Sequence, residues 1–271
     1  MKILFFSDIV GRPGRKAVSE SLKMLKLEHN PDVIIANGEN AAGGLGIDLK
    51  TADEIFNAGV EVMTSGNHIW SKKEIKVYLE KTSQDNKKPI LRPANFPDGA
   101  PGVGHHIFET ESGLKVGILN LMGRVFIPDL IDCPFRKADK LVEQLSESCD
   151  VIFVDFHAEA TSEKIAFGHY LDGRVSAIVG THTHVQTADE KILPKGTAYI
   201  TDVGMCGPAD SVLGINKNFI IERFLSARPS KFEIAPGQAQ INAVVITIET
   251  DSEEKIKKAS KIERINFVLG N

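Results

Sequence analysis

The chain has 271 residues, 42% of them hydrophobic and 25% charged, which suits a single α/β domain over 1–271 with a substantial core. A net charge of −4 and a pI near 6.1 offer no general surface for a polyanion and weigh against long nucleic acid as a partner. No stretch approaches the roughly 18 apolar residues of a membrane span, and Cys133, Cys149 and Cys206 read as reduced thiols, so a cytoplasmic protein without membrane contact is expected.

Lys2 to Phe6 is an apolar run that stops at Ser7-Asp8; it predicts a buried strand and is too short for a secretory signal. Gly11-Arg12-Pro13-Gly14 reads as a turn. Arg15 to Leu27 puts Val18, Leu22, Leu25 and Met24 on one helical face, and Asn30-Pro31-Asp32 ends that helix. The run Ile34-Ile35-Ala36-Asn37 then breaks into Gly38-Glu39-Asn40. In an α/β protein this is a strand delivering a carboxylate and an amide to the carboxyl edge of a sheet, where sites are built. Gly43 to Gly46 is a flexible loop, and Leu49 to Asn57 a helix stopped near Gly59. Val60 to Thr64 is a third strand, ending in Ser65-Gly66-Asn67-His68.

A charged helix is predicted over Lys72 to Glu80, a polar stretch over Lys81 to Lys88, and irregular chain from Leu91 to Gly104. His105 to Thr110 and Lys115 to Leu119 flank a hairpin turn. Ala138 to Ser146 is helical. Val151 to Asp155 is a strand running into Phe156-His157. Ser162 to Leu171 is helical with Thr161 as its cap, and Val175 to Val179 is a strand ending in Gly180-Thr181-His182-Thr183-His184. Ala198 to Asp202 follows, then a Gly-rich loop from Gly204 to Gly214, read as a rim or as a contact in a homo-oligomer. A helix over Phe219 to Leu225, strands near Phe232 to Ile234 and over Ala239 to Ile248, and a solvated Lys/Glu-rich segment from Asp251 to Lys261 follow. Early alternation of strand and helix predicts a parallel sheet. The strand-rich later half predicts a second sheet, packed as a sandwich flanked by helices.

Five strand ends carry metal-ligand chemistry: Asp8, Glu39-Asn40, Asn67-His68, His157 and His182-x-His184. On an extended segment the last pair would place both imidazoles on one side, to grip one ion or serve two neighbours. Each feature alone has an ordinary structural reading as a cap, a turn or a hydrogen-bonded histidine; their joint occurrence does not. A His, carboxylate and amide donor set without thiolate suits manganese, iron or zinc in a reactive site rather than a structural zinc. Two divalent ions would outweigh the charge of Asp8 and Glu39 and leave the site attractive to phosphate. His68 stands where it could protonate a leaving alkoxide, and Arg12 where it could contact phosphate or simply be a solvated turn residue. Glu159, Ser162, Glu163 and Lys164 read as support for the ligands or as a solvated helix start, and Met205 and Cys206 as packing residues.

The stretches Asn37-Gly38-Glu39-Asn40, Thr64-Ser65-Gly66-Asn67-His68, Asp155-Phe156-His157-Ala158-Glu159, Val179 to Thr187 and Thr201-Asp202-Val203-Gly204-Met205 resemble the calcineurin-like metallophosphoesterases, most closely their bacterial YmdB-like branch. The resemblance runs from Lys2 to about Gly237. It implies a four-layer α/β/β/α sandwich of the metallophosphoesterase type holding two metal ions, iron or manganese. One ion would be held by Asp8, Glu39, Asn40 and His184, the other by Glu39, Asn67, His157 and His182, with Glu39 bridging. It also implies hydrolysis of small cyclic nucleotides, 2′,3′- or 3′,5′-cyclic, by a metal-bridging hydroxide, with His68 assisting the leaving group. The chain departs from the wider superfamily in two places. Asp8-Ile9-Val10 replaces the usual Asp-x-His, and Glu39 replaces the usual bridging Asp, so Asn40 fills the vacancy with a weaker donor. A phosphomonoesterase, a nuclease on the same site, and a metal-stabilised module that signals without catalysis remain as alternative readings.

Overall fold

The computed structural model describes residues 1–85, 88–251 and 253–270, so the predicted polar stretch Lys81 to Lys88 lies partly outside the described residues. The first strand, Lys2–Phe6 (β1), is buried beyond its first residue and is followed by the short Asp8–Ile9 (β2). Helix α1 covers Gly11–His29. The predicted turn at Gly11 to Gly14 is therefore its first turn: proline near a helix start has no N–H to lose there, and its fixed φ suits the helix. Asn30, in left-handed conformation at φ 47°, closes α1. Then come Val33–Asn37 (β3), helix Leu49–Ala58 (α2) and Val62–Thr64 (β4). Asp48 caps α2 with a reciprocal bond to Thr51, and Gly59 ends it at φ 112°.

A 3-10 turn at Ile69–Ser71 leads into helix Glu74–Asp85 (α3). The hairpin is present as His105–Glu109 (β5) and Lys115–Met122 (β6), paired antiparallel. Helix Pro134–Ser146 (α4) starts earlier than its hydrophobic periodicity suggested, with proline again in the first turn. Val151–His157 (β7), helix Thr161–Leu171 (α5) and Ala177–Thr181 (β8) follow. Thr161 is not the cap of α5: Ala160 holds that position and makes no side-chain capping bond. Lys191–Ile192 (β9) and Ala198–Ile200 (β10) come next. The segment predicted as a Gly-rich loop contains a buried strand, Met205–Pro208 (β11), because its backbone pairs with both β2 and a later strand, a contact that composition cannot reveal.

Lys217–Ser226 (α6) precedes the two long strands Ala239–Ile248 (β12) and Ala259–Val268 (β13). Phe232 to Ile234 is not a full strand; it contributes one bridge, Ile215 to Ile234. The Lys/Glu-rich segment ends sooner than expected, because Ala259 already opens β13, whose charged side chains face outward while the backbone pairs with β12.

Both sheets are mixed. One has seven strands in the order β2-β11-β12-β1-β3-β4, with β13 also on β12; the other has six, β5-β6-β7-β8-β10-β9. Between them lies a core made by alternate residues of both: Ile3, Phe5, Val33 and Ile35 from the first, Val116, Ile118, Phe153 and Val179 from the second. The intervening residues point outward. Leu4 and Phe6 pack with Val18, Leu22 and Ile55 of α1 and α2, and Leu119, Ile152 and Val154 pack with Val142 and Phe167 of α4 and α5. The period of two along each strand thus sorts one sequence into an inter-sheet core and two helix-facing cores.

Candidate metal centre

β1, β3 and β4 run parallel to one another, and so do β7 and β8, so each group releases its chain at one carboxyl edge. The first sheet thereby supplies Asp8, Glu39 and Asn67, and the second His157, with His182 and His184 just beyond β8. A hydrogen-bonded pin ties the two edges. Asp155 of β7 accepts from Thr64 Oγ1 of β4, from Asn37 Nδ2 of β3 at 2.9 Å and from Thr181 Oγ1 of β8 at 2.7 Å. The other end of the Asn37 amide accepts the Glu39 backbone N–H at 3.0 Å, which sets the entry of the Glu39 loop.

His157 Nε2 lies 3.1 Å from Glu39 Oε1, 3.1 Å from Asn67 Oδ1 and 3.0 Å from His182 Nδ1. A ring nitrogen carries at most one hydrogen, so three acceptors at this range have a single hydrogen to share. Two ligand atoms at right angles on an ion about 2.1 Å from each would sit about 3.0 Å apart. Glu39, His157 and His182 form the group of His and carboxylate side chains, among the described residues, whose donor atoms all converge within 4.8 Å. Room is kept by Gly66: a Cβ there would overlap Glu39 Oε2 and the His157 ring. The donor set, its spacing and that glycine fit a cation.

A second, more open group adjoins it. His184 Nε2 lies 3.2 Å from Asn40 Oδ1 and 4.0 Å from Asp8 Oδ1. Asp8 Oδ1 is buried and has no hydrogen-bond partner, an orphaned acceptor of the sort a cation would satisfy. The two histidines are not on an extended segment, as the sequence spacing suggested. His182 has φ 98° and His184 φ 62°, both left-handed. That backbone, strained for non-glycine residues, turns His182 toward Glu39 and His157 and His184 toward Asn40 and Asp8.

The charge states follow from burial and proximity. Burial alone would lift the Glu39 carboxyl, but the adjoining His157 imidazole outweighs it and draws Glu39 down to about 2. Burial would likewise depress His157, yet Glu39, with help from Asp8 and Asp155, raises it to about 9. His182 is pushed down to about 3, first by burial and then by the positive charge of His157. Asp8 is raised by burial, and Asp155, also by burial, to about 6. Free of metal, the centre holds a proton on His157 that a cation would have to displace.

Around these candidate ligands stand residues that aim them. Thr181 donates its hydroxyl hydrogen to Asp155 and so accepts from His157 Nδ1–H, at 2.9 Å, which leaves the Nε2 lone pair for the centre. Glu159 Oε2 faces His182 Nε2 at 2.9 Å and selects the complementary tautomer there. Lys164, almost wholly buried, pairs with Asp202 Oδ2 at 2.7 Å. The same oxygen accepts the backbone N–H of Thr183 at 3.1 Å and its hydroxyl at 2.6 Å. The residue between the two left-handed histidines is thus held by a buried ion pair.

A family model described as "YmdB-like protein" matches residues 4–265. The chain belongs to the YmdB-like family. It is similar to a Bacillus subtilis protein named 2′,3′-cyclic-nucleotide 2′-phosphodiesterase, with 49% identity over 98% of this chain and 96% of that one. Among solved structures it is similar to a hypothetical protein from Thermus thermophilus, with 41% identity, 99% of both chains covered and a TM-score of 0.88. It is also similar to a Mycoplasma pneumoniae structure described as a novel phosphatase, with 38% identity, 99% of this chain and 93% of that one covered and a TM-score of 0.90.

In this YmdB-like chain, Asp8, Glu39, Asn40, Asn67, His157, His182 and His184 meet at one joined edge. Glu39, Asn40, His68, His182 and His184 also line a cavity of about 370 Å³. His68 is at its wall: its backbone N–H reaches Glu39 Oε2 at 3.3 Å and its Nε2 lies 3.5 Å from the Asn67 amide nitrogen. Arg12 is elsewhere. It is exposed near the start of α1 and lines a separate cleft with Arg15, Lys16 and Glu54, apart from the cavity at the centre. The neighbouring Arg15 instead bonds the Ala41 carbonyl and Glu54, bracing the loop after Asn40. Asn37, Gly66, Asp155, Thr181 and Asp202 lie within the stretches that carry the family resemblance, but composition and spacing give none of them an individual role. The four polar ones stand at or just past strand ends, where buried polar residues have to find partners.

Proposed function

We propose that this chain is a metal-dependent hydrolase of small cyclic nucleotides, acting on 2′,3′-cyclic phosphodiesters. The reading rests above all on the convergence of Glu39, Asn67 and His182 on one nitrogen of His157, in a chain 49% identical to a protein bearing that activity in its name. Two ions, iron or manganese, would be held by Asp8, Glu39, Asn40, Asn67, His157, His182 and His184. When bound they supply neutralisation of the phosphoryl oxygens and an acidified water nucleophile. The two sheets with their outer helices are read as one four-layer α/β/β/α domain of the metallophosphoesterase type.

The chain's own residues do the rest. Asn40, His182 and His184, which line the cavity, would form the floor against which the phosphodiester lies. Water oxygen bonds to phosphorus, the bond to the 2′ oxygen breaks, and that oxygen takes a proton to become the 2′ hydroxyl of a 3′-monophosphate. His68, which lines the cavity, would give that proton. Opening of 2′,3′-cyclic AMP by the manganese- or iron-loaded protein, with the product identified by chromatography, is the test. Loss of that turnover in Glu39→Gln, with the fold intact by circular dichroism, is expected, and undiminished turnover would overturn the assignment. The description of the Mycoplasma pneumoniae relative as a phosphatase favours a second reading, monoester hydrolysis, and release of phosphate from 3′-AMP in the same assay would reveal it.

A further inference from the structure

We propose that the apolar half of the cavity is a seat for the nucleobase that takes its flat face and reads none of its edges; this rests on the cyclic-nucleotide reading above. The cavity lined by Glu39, Asn40 and the histidines is lined as well by Leu45, Leu213, Ile220, Phe224 and Phe232. Those five offer hydrocarbon and ring faces and no polar side-chain group to pair with a base edge. Phe224 and Phe232 are left 83% and 53% exposed beside a charged centre, and α6, which carries Ile220 and Phe224, buries none of its residues. Rings standing open next to a phosphate-binding group suit a ligand that is anionic at one end and aromatic at the other.

The wall is built as one piece with the centre. The Asn40 amide donates to Gly44 O at 3.0 Å, and Gly44 packs against Phe232: a Cβ at Gly44 would come within 3.2 Å of the Phe232 ring and within 2.8 Å of Ile234. On the other side His184 Nδ1 donates to Leu213 O at 3.2 Å. Leu213 is itself left-handed at φ 53°, and the next turn is locked to the Phe232 segment by Ala235 N to Gly214 O and Asn216 N to Glu233 O, both 2.9 Å. Asn40 and His184, the two residues on the Asp8 side of the centre, are therefore each hydrogen-bonded to the wall. A base seated there would fix its sugar phosphate at a set distance from both. Because base–aromatic stacking is tolerant of sequence, all four bases should be accepted.

The test compares 2′,3′-cyclic AMP with methyl riboside 2′,3′-cyclic phosphate, the same ester without its base, on full-length manganese-loaded protein. The wild type should favour the base-bearing ester by at least about tenfold in kcat/KM. Phe224→Ala with Phe232→Ala should cut that ratio about tenfold through KM, since one stacked ring is worth on that order. Phe232→Tyr should keep the preference. Independently of turnover, adenosine binding to the metal-stripped protein, read by saturation-transfer NMR, should be seen for the wild type and lost in the double variant. If neither ester is opened but adenosine binding behaves as stated, the hydrolase reading fails and the base seat stands. Equal rates on both esters in the wild type would overturn the base seat while leaving the hydrolase intact. So would variants that change only the oligomeric state by light scattering, which would make the wall a contact between copies.

Discussion

Lys164→Met removes the cation from a pair in which Lys164 is 1% exposed and Asp202 is 0% exposed. Leaving one member of such a pair buried and uncompensated costs about 3–5 kcal/mol. Asp202 would keep three neutral donors, the N–H and hydroxyl of Thr183 and the N–H of Gly204. That places the loss near the lower end, about 3 kcal/mol. In a chain of this size each kcal/mol is worth about 2–4 °C, so the metal-stripped variant should melt roughly 6–12 °C below the wild type by circular dichroism. Lys164→Met with Asp202→Asn removes both charges, and the two losses should fall short of additivity by about 1 kcal/mol or more. Because Asp202 holds the residue between His182 and His184, metal retained after dialysis should fall in the single variant as well, measured by elemental analysis. A melting temperature within about 2 °C of wild type for Lys164→Met, or strict additivity in the double variant, would refute the reasoning.

Gly66→Ala should yield a folded protein that no longer retains metal through gel filtration, because the new methyl overlaps Glu39 Oε2 and the His157 ring; normal metal content would show that the cradle is looser than described. Glu159→Gln and Thr181→Val should each weaken metal binding by about 10–100-fold in chelator competition, since they release the tautomers of His182 and His157 while leaving every ligand in place. In chelator, the metal-free protein should lose stability as pH rises. His157 is raised from 6.5 to about 9, so its contribution is complete below about 6.5 and lost as pH passes 9. The same pair draws Glu39 from 4.5 down to about 2, a contribution complete above about 4.5 and lost only near 2. Melting temperatures from about pH 6 to about pH 9.5, which bracket the His157 window, test this, and the slope should flatten in Glu39→Gln; a wild-type melting temperature that climbs over that range contradicts the pairing.

Much of the chemistry was legible in one dimension. Apolar runs that stop abruptly at Asp8, Glu39, Asn67 and His157 report strand ends, since a buried strand can carry polar side chains only where it leaves the core, and parallel strands leave on the same side. The alternation of strands and helices sets the early parallel sheet in the same way, through local hydrophobic periodicity. What lay beyond local pattern was decided by distant backbone. β11 is a strand only because β2 and β12 flank it, and β13 is one because β12 lends it partners, so a Gly-rich stretch reads as loop and the charged start of β13 as part of a solvated segment. The left-handed turns at His182 and His184 are held by Asp8, Asp202 and Leu213, residues up to 174 positions away. The place of Arg12, in a cleft apart from the cavity at the centre, likewise depends on a helix that starts one turn earlier than its periodicity shows. Ligand identity is a property of side chains and so is written in order along the chain; ligand direction depends on hydrogen bonds closed between sheets, and those exist only after both sheets have packed.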